Sequence, residues 1–339
     1  MLRKEITRRA GLIILLLALL PVLLAAQNRV LQIGPVVMTV ADMNRSVDFY
    51  TQVLTFQKQS ETLRTGLEID ELYGVPNARV RAVDLKLGDE GIELIQFVGT
   101  RGAPVPADSR SNDLSFQHVA IIVSDMDRAY AILRQNRVEQ ISPYPQKLPD
   151  WNSNASGIKA FYFRDPDGHP LEILQFPPGK GDPKWQAANG RLFLGIDHTA
   201  IAIANTQASL EFYRSLLGLR VAGESDNYGF EQEHLNNVFG AHLHITSLRS
   251  PDGIGVEFLE YITPRDGRPV PVSVRATDIS HHETVLLVDD IAHVNSALAD
   301  AKNHPISVKQ IAGSELLFHA SQAELIHDPD GHQLLLLQR

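Results

Sequence analysis

Four side chains in the middle of this chain have the types and places needed to hold a divalent cation. His118 stands in the apolar run FQHVAIIV and His198 in IDHTAIAI, while Glu172 stands in PLEILQF and Glu257 in GVEFLEY. A carboxylate inside an apolar strand costs several kcal/mol unless it is paired, hydrogen-bonded or bound to metal. A strand turns alternate side chains to opposite faces. His118 therefore shares a face with Ala120 and Ile122, Glu172 with Leu174 and Phe176, His198 with Ala200 and Ala202, and Glu257 with Leu259. Two imidazoles and two carboxylates turned toward one another make an N₂O₂ set with room for two more oxygen ligands. Such a set suits Fe, Zn, Ni, Mn or Co as a divalent metal ion, and the residues do not choose among them. A lone strand histidine is more often a buried residue bonded to backbone, so the weight rests on recurrence at equivalent places.

That recurrence belongs to a repeat. LQIGPVVMTVADMNRSVDFYTQVLTFQ begins a unit at Leu31, and GIDHTAIAIANTQASLEFYRSLLGLRV begins another at Gly195. SFQHVAIIVSDMDRAYAILRQN from Ser115 and SHHETVLLVDDIAHVNSALADA from Ser280 fall between and after them. Each reads as an apolar strand, a polar turn and an amphipathic helix, and each unit closes on an apolar strand. A period of about 80 residues is too long for a solenoid unit and suits a βαβββ module. Four modules follow, over residues 31–100, 115–178, 193–263 and 279–339, separated by Pro- and Gly-rich linkers. Modules one and three share DFYTQVLTF and EFYRSLLGL, and modules two and four share the turn DPDGH, so a two-module protein has been duplicated.

The equivalent first-strand and last-strand positions are Pro35 and Glu93, His118 and Glu172, His198 and Glu257, and Glu283 and Leu335. If modules two and three face each other, one cup holds a full His, Glu, His, Glu set and the other holds Pro, Glu, Glu and Leu. If sequence neighbours pair instead, one cup holds Glu93, His118 and Glu172 and the other His198, Glu257 and Glu283; neither set is complete, though one His with two carboxylates could still bind metal. The first pairing explains why Leu335 lost its acid: its cup stopped holding metal.

A first strand with His, a helix carrying EFYRSLLGL and the closing strand DPDGHPLE together resemble the vicinal oxygen chelate superfamily of glyoxalases, bleomycin-resistance proteins and extradiol dioxygenases. The resemblance runs from about residue 31 to the C-terminus. It implies an α+β fold in which four βαβββ modules form two paired, cup-shaped curved sheets. It implies a small-molecule substrate whose adjacent oxygens take the two open positions of a metal held by His118, Glu172, His198 and Glu257. Glu172 or Glu257, swinging off the metal, would then act as general base beside a carbonyl, the glyoxalase and epimerase mode of a lyase or isomerase. Two alternatives stay open. One is an extradiol-type dioxygenase with Fe(II), for which FYFRDPDGHPLE fits but an upstream His is replaced by Ser153–Ser156. The other is a protein that binds and sequesters a small molecule without catalysis.

The bulk composition sets the setting. With 339 residues, 44% hydrophobic and 21% charged, the chain is globular, and a net charge of −9 leaves no basic footprint for nucleic acid. The absence of cysteine removes disulfides and thiolate ligands. MLRKEITRR and the uncharged stretch Ala10 to Ala26 read as a signal peptide or N-terminal membrane anchor over residues 1–26. The body is expected to work outside the cytoplasm, as monomer or homodimer, touching membrane only through that segment if it is retained. Tyr50 and Tyr213 read as helix-to-core packing, and His169 and His332 of the DPDGH turns as solvent-facing. His242 and His244, two apart on a strand, read either as lining the cup of module three or as an edge-strand pair.

Overall fold

The computed structural model describes residues 30–300, 309–312 and 320–338. The leader at residues 1–26 lies outside them, and among the described residues no helix is long and apolar enough to cross a membrane.

Two nine-stranded sheets carry the fold. In one, the order is Arg220–Tyr228, His242–Arg249, Gly255–Thr263, Phe193–Ile203, Gln117–Val123, Pro170–Gln175, Lys159–Arg164 and Glu139–Gln140, with Gln146–Lys147 off the path. Strands from the second and third units thus share a sheet, joined by antiparallel first strands. The other sheet joins the fourth unit to the first through His282–Val288 against Val30–Thr39. Of the two pairings the sequence allowed, the molecule adopts two with three and one with four.

Alternation sorts each strand between two environments. Val119, Ile121 and Val123 lie with Met126, Ala129 and Leu133 of the helix Met126–Gln135 in one apolar cluster that also takes residues from the other three units. Phe116, Ile122, Tyr162, Leu174 and Ala200 form a separate cluster on the opposite, concave face. The helices that follow the first strands of units one, two and three start at side-chain caps: Asp42, Asp125 and Asn205 each accept from backbone N–H of the first turn.

The DPDGH turns tie the units together. Gly168 and Gly331 sit at φ of +94° and +97°, where a side chain would be strained. Asp165 Oδ1 accepts from the backbone of Asp167 and His169, and Asp328 Oδ1 does the same for Asp330 and His332. The histidines are not solvent-facing, contrary to the reading of a plain surface turn. His169 is fully buried and His332 is 7% exposed. Each binds its own aspartate through Nδ1 at 2.8 Å, and through Nε2 it reaches the backbone oxygen of Ile279 or Leu114 in a distant linker. Tyr50 and Tyr213 do pack in the core, and they also donate to Asp165 and Asp328 at 3.0 Å.

Candidate metal centre

The central strand pair places the histidines. His198 is directly opposite Ala120 and Ala200 opposite His118, so both imidazoles rise on the concave face as diagonal neighbours. The flanking parallel strands put Glu172 beside Ala120 and Glu257 beside Ala200. The four polar side chains therefore ring a floor made of two alanines, both fully buried. Small floor residues leave volume above the sheet at the point where the ring converges.

His118 Nε2 lies 3.2 Å from Glu172 Oε2, and His198 Nε2 lies 3.8 Å from the same oxygen and 3.5 Å from Glu257 Oε2. Ligand atoms of His118, Glu172 and His198 all fall within 4.8 Å of one another. Glu257 stands at the edge of that trio, with Ser247 donating to its Oε1 at 2.6 Å. Both ring nitrogens of His118 and Nε2 of His198 are buried with no hydrogen-bond partner. Orphaned buried nitrogens are costly. The two Nε2 atoms are close to carboxylate oxygens but not aligned to bond them, which is the arrangement a shared cation resolves. The donor set fits a divalent metal.

Asp197 is a part of the site that sequence alternation misses. The ladder slips between Ile196 and His198, and this bulge lets adjacent side chains face the same way. Asp197 Oδ2 accepts from His198 Nδ1 at 2.9 Å, which leaves Nε2 to face the acids. Trp185 Nε1 and Arg249 in turn hold Asp197, at 3.0 Å and 2.7 Å. Burial opposes ionisation of Asp197, but His198, Arg249 and Trp185 outweigh it and hold its carboxyl well below the usual range. Burial favours a neutral His198, yet Glu257, Asp197 and Glu172 outweigh that and raise its pKa to about 9. Burial first, and then Glu172, pushes the Tyr162 phenol up.

The ring opens into a cavity of about 830 Å³, with Leu174, Phe176 and Leu235 as apolar wall and Asn154, Ser225 and Asn227 as polar wall. His242 and His244 do not line it. Their strand turns Leu243 and Ile245 to the concave side, so both histidines face outward. Nor is that strand an edge, since it lies between Arg220–Tyr228 and Gly255–Thr263.

The other cup is built differently. Glu93 is gripped by both terminal nitrogens of Arg64, with Nη1 at 2.8 Å. Glu283 is engaged by His281 Nε2 at 2.7 Å. Its floor positions, equivalent to Ala120 and Ala200, are Val37 and Val285, packed with Leu335. A guanidinium and four extra methyl groups stand where the first cup leaves space. Pro35 lies where the ladder slips between Ile33 and Val36, a place that needs no N–H from it.

Duplicated βαβββ units, paired into cups, with one cup ringed by imidazole and carboxylate, place a candidate metal centre on a curved-sheet fold. The family model described as Glyoxalase/Bleomycin resistance protein/Dioxygenase superfamily matches residues 32–173 and 195–336, and the chain belongs to that superfamily. A 2-epi-5-epi-valiolone epimerase from Actinomyces sp. is 27% identical over 151 residues, 42% of this chain and 77% of that protein. Glyoxalase I from Zea mays shares the fold at a TM-score of 0.57 and 15% identity, over 91% of this chain and 92% of that one. A putative dioxygenase from Bacillus subtilis does so at 0.55 and 13%, over 92% and 86%.

Proposed function

We propose that this chain is an exported, metal-dependent isomerase or lyase that moves a proton beside a carbonyl in a small molecule with adjacent oxygens. The unequal hold on the two carboxylates carries this reading. Glu257 is fixed by Ser247. Glu172 Oε2 sits between the two imidazoles and takes no hydrogen bond from a described residue. A base has to leave its resting place to reach a carbon-bound proton, and Glu172 is the acid free to do so.

His118, His198, Glu257 and, at rest, Glu172 would hold the metal. When bound, it supplies Lewis acidity to a substrate's adjacent oxygens and stabilises negative charge on the carbonyl oxygen. Glu172 takes the proton from the carbon beside that carbonyl, and the electron pair of the broken C–H bond moves toward the oxygen. Returning the proton to the former carbonyl carbon, as the adjacent hydroxyl proton passes to the former carbonyl oxygen, gives an isomer; returning it to the opposite face of the original carbon gives an epimer. Asp197 keeps His198 oriented throughout. The similarity to a named epimerase supports proton transfer over ring cleavage. So does the loop that replaces the missing His: Asn152 and Asn154, around Ser153, use their amides to bind the edge strand Arg220–Tyr228.

Solvent exchange tests this without knowing the product. In D₂O, metal-loaded protein should add one deuterium to α-hydroxy ketones in a panel that includes 2-epi-5-epi-valiolone, and Glu172→Gln should not. Oxygen consumption with a catechol, and no exchange with any ketone, would replace this reading with ring cleavage. Binding without either would leave a sequestering protein. The export part rests on residues 1–26, and recovery of the full-length chain in the cytosolic fraction of its own cells would contradict it.

A further inference from the structure

The outward face of the Arg220–Tyr228 and His242–Arg249 strands carries a second group of metal-ligating side chains. On this antiparallel pair Asp226 is directly opposite His244, and Tyr228 opposite His242. Asp226 Oδ1 lies 3.2 Å from His244 Nδ1 and 3.9 Å from His242 Nε2, so one carboxylate oxygen stands between two imidazoles. Glu224 Oε1 lies a further 3.9 Å from His244 Nε2. The rings are partly shielded, His242 by the edge-on ring of Tyr228 at 5.1 Å, which Trp151 stacks upon at 4.3 Å. No lysine or arginine is paired with Asp226 among the described residues; its ion-pair partners are the two histidines.

We propose that His242, His244 and Asp226 form a surface site for a borderline divalent ion such as Cu²⁺, Ni²⁺ or Zn²⁺, distinct from the ring in the cup. Two imidazoles and a carboxylate favour these ions over Mg²⁺ or Ca²⁺. Partial exposure leaves the remaining positions to water, and the His242 side chain, whose Nε2 stands 3.9 Å from Asp226 Oδ1, has to rotate for all three donors to share one ion. The ligands come from two strands, so the ion cross-links the edge strand to its neighbour. The opposite face of that edge strand is cavity wall, through Gly223, Ser225 and Asn227. Asn152 clamps the same stretch, donating to Asp226 O at 3.2 Å and Asn227 Oδ1 at 2.6 Å. Occupancy outside therefore steadies the wall inside, whatever reaction the cup performs.

Untagged protein dialysed against Zn²⁺ and analysed for bound metal tests the site. Wild type should hold two ions per chain, His242→Ala/His244→Ala one, and His118→Ala/His198→Ala one. The chain has two tryptophans, and Trp151 is the one beside this site. Cu²⁺ should quench emission of the His118→Ala/His198→Ala protein, and Trp151→Phe or Asp226→Asn in that background should remove most of the quenching. The outer histidines are 37% and 28% exposed, so their loss leaves the fold intact, which circular dichroism checks. An outer double variant that keeps two ions, or a wild type with one ion lost only on changing the cup, overturns the proposal. Loss of the cup ion alone would count against the proposed function and leave this site standing.

Discussion

Arg64 clasps both carboxylate oxygens of Glu93 in the interior of the cup that has no counterpart of His118 and His198. The pair is nearly sealed, with Arg64 at 3% exposure and Glu93 at 1%. A built-in cation answers the acid here, where the other cup has only imidazoles and the candidate metal site. Removing one partner of such a pair strands a buried charge, at a cost of about 3–5 kcal/mol. Arg64→Ala should lose that much stability by chemical denaturation, while Arg64→Met with Glu93→Leu should lose far less. Metal content should not change in either. Equal losses in the two variants would mean that the guanidinium acts through packing alone.

The floors of the two cups differ in two residues each, Ala120 and Ala200 against Val37 and Val285. Overpacking a tight interior costs about 1–3 kcal/mol, which a folded chain can absorb, but the extra methyl groups would occupy the ring's centre. Ala120→Val with Ala200→Val should fold, melt somewhat lower, and bind no metal in the cup. Undiminished metal binding would show that the ion sits higher than the ring places it.

Asp197 reaches His198 through the nitrogen that faces away from the acids. Outer carboxylates of this kind typically change metal affinity by about 10–100-fold. Asp197→Asn keeps the shape and loses the charge, so metal affinity should fall by about that factor in competition with a chelator. Affinity within twofold of wild type would reduce Asp197 to a partner for Arg249.

His169 gives a pH dependence of known sign. Burial favours the neutral ring, but Asp165 and then Asp167 outweigh it and raise its pKa to about 8. His282, whose ring is edge-on at 5.0 Å, has its own pKa depressed by burial and by His169. An ordinary unfolded histidine titrates near ~6.5, so the folded form holds its proton more tightly. The contribution is complete below about pH 6.5 and is lost as pH rises through 8, about 2 kcal/mol in all. Denaturation at pH 6 and pH 9 should show wild type weakening with alkali and His169→Asn weakening less. Parallel profiles would contradict the pairing with Asp165.

The ring was legible because strand alternation and repetition depend only on local order: His118, Glu172, His198 and Glu257 read onto one face, and the structure puts them there. The alanine floor was also in the text, as HVA and HTA against PVV and ETV, but it means something only once the strands are paired. Asp197 was hidden because a bulge breaks the alternation that would have turned it outward. Arg64 was hidden by its strand, QKQSETLR, which is polar except for Leu63, and there the leucine is exposed and the arginine buried. The burial of His169 and His332 depends on linkers more than a hundred residues away, beyond the reach of any turn motif.

The most direct test is where a metal goes. Crystals grown with Mn²⁺ or Zn²⁺, with data collected at the metal's absorption edge, should give an anomalous peak between His118 Nε2, His198 Nε2, Glu172 and Glu257. The cup holding Arg64 should give none. A peak beside Glu93 and Glu283, or an empty histidine ring at saturating metal, would contradict the account.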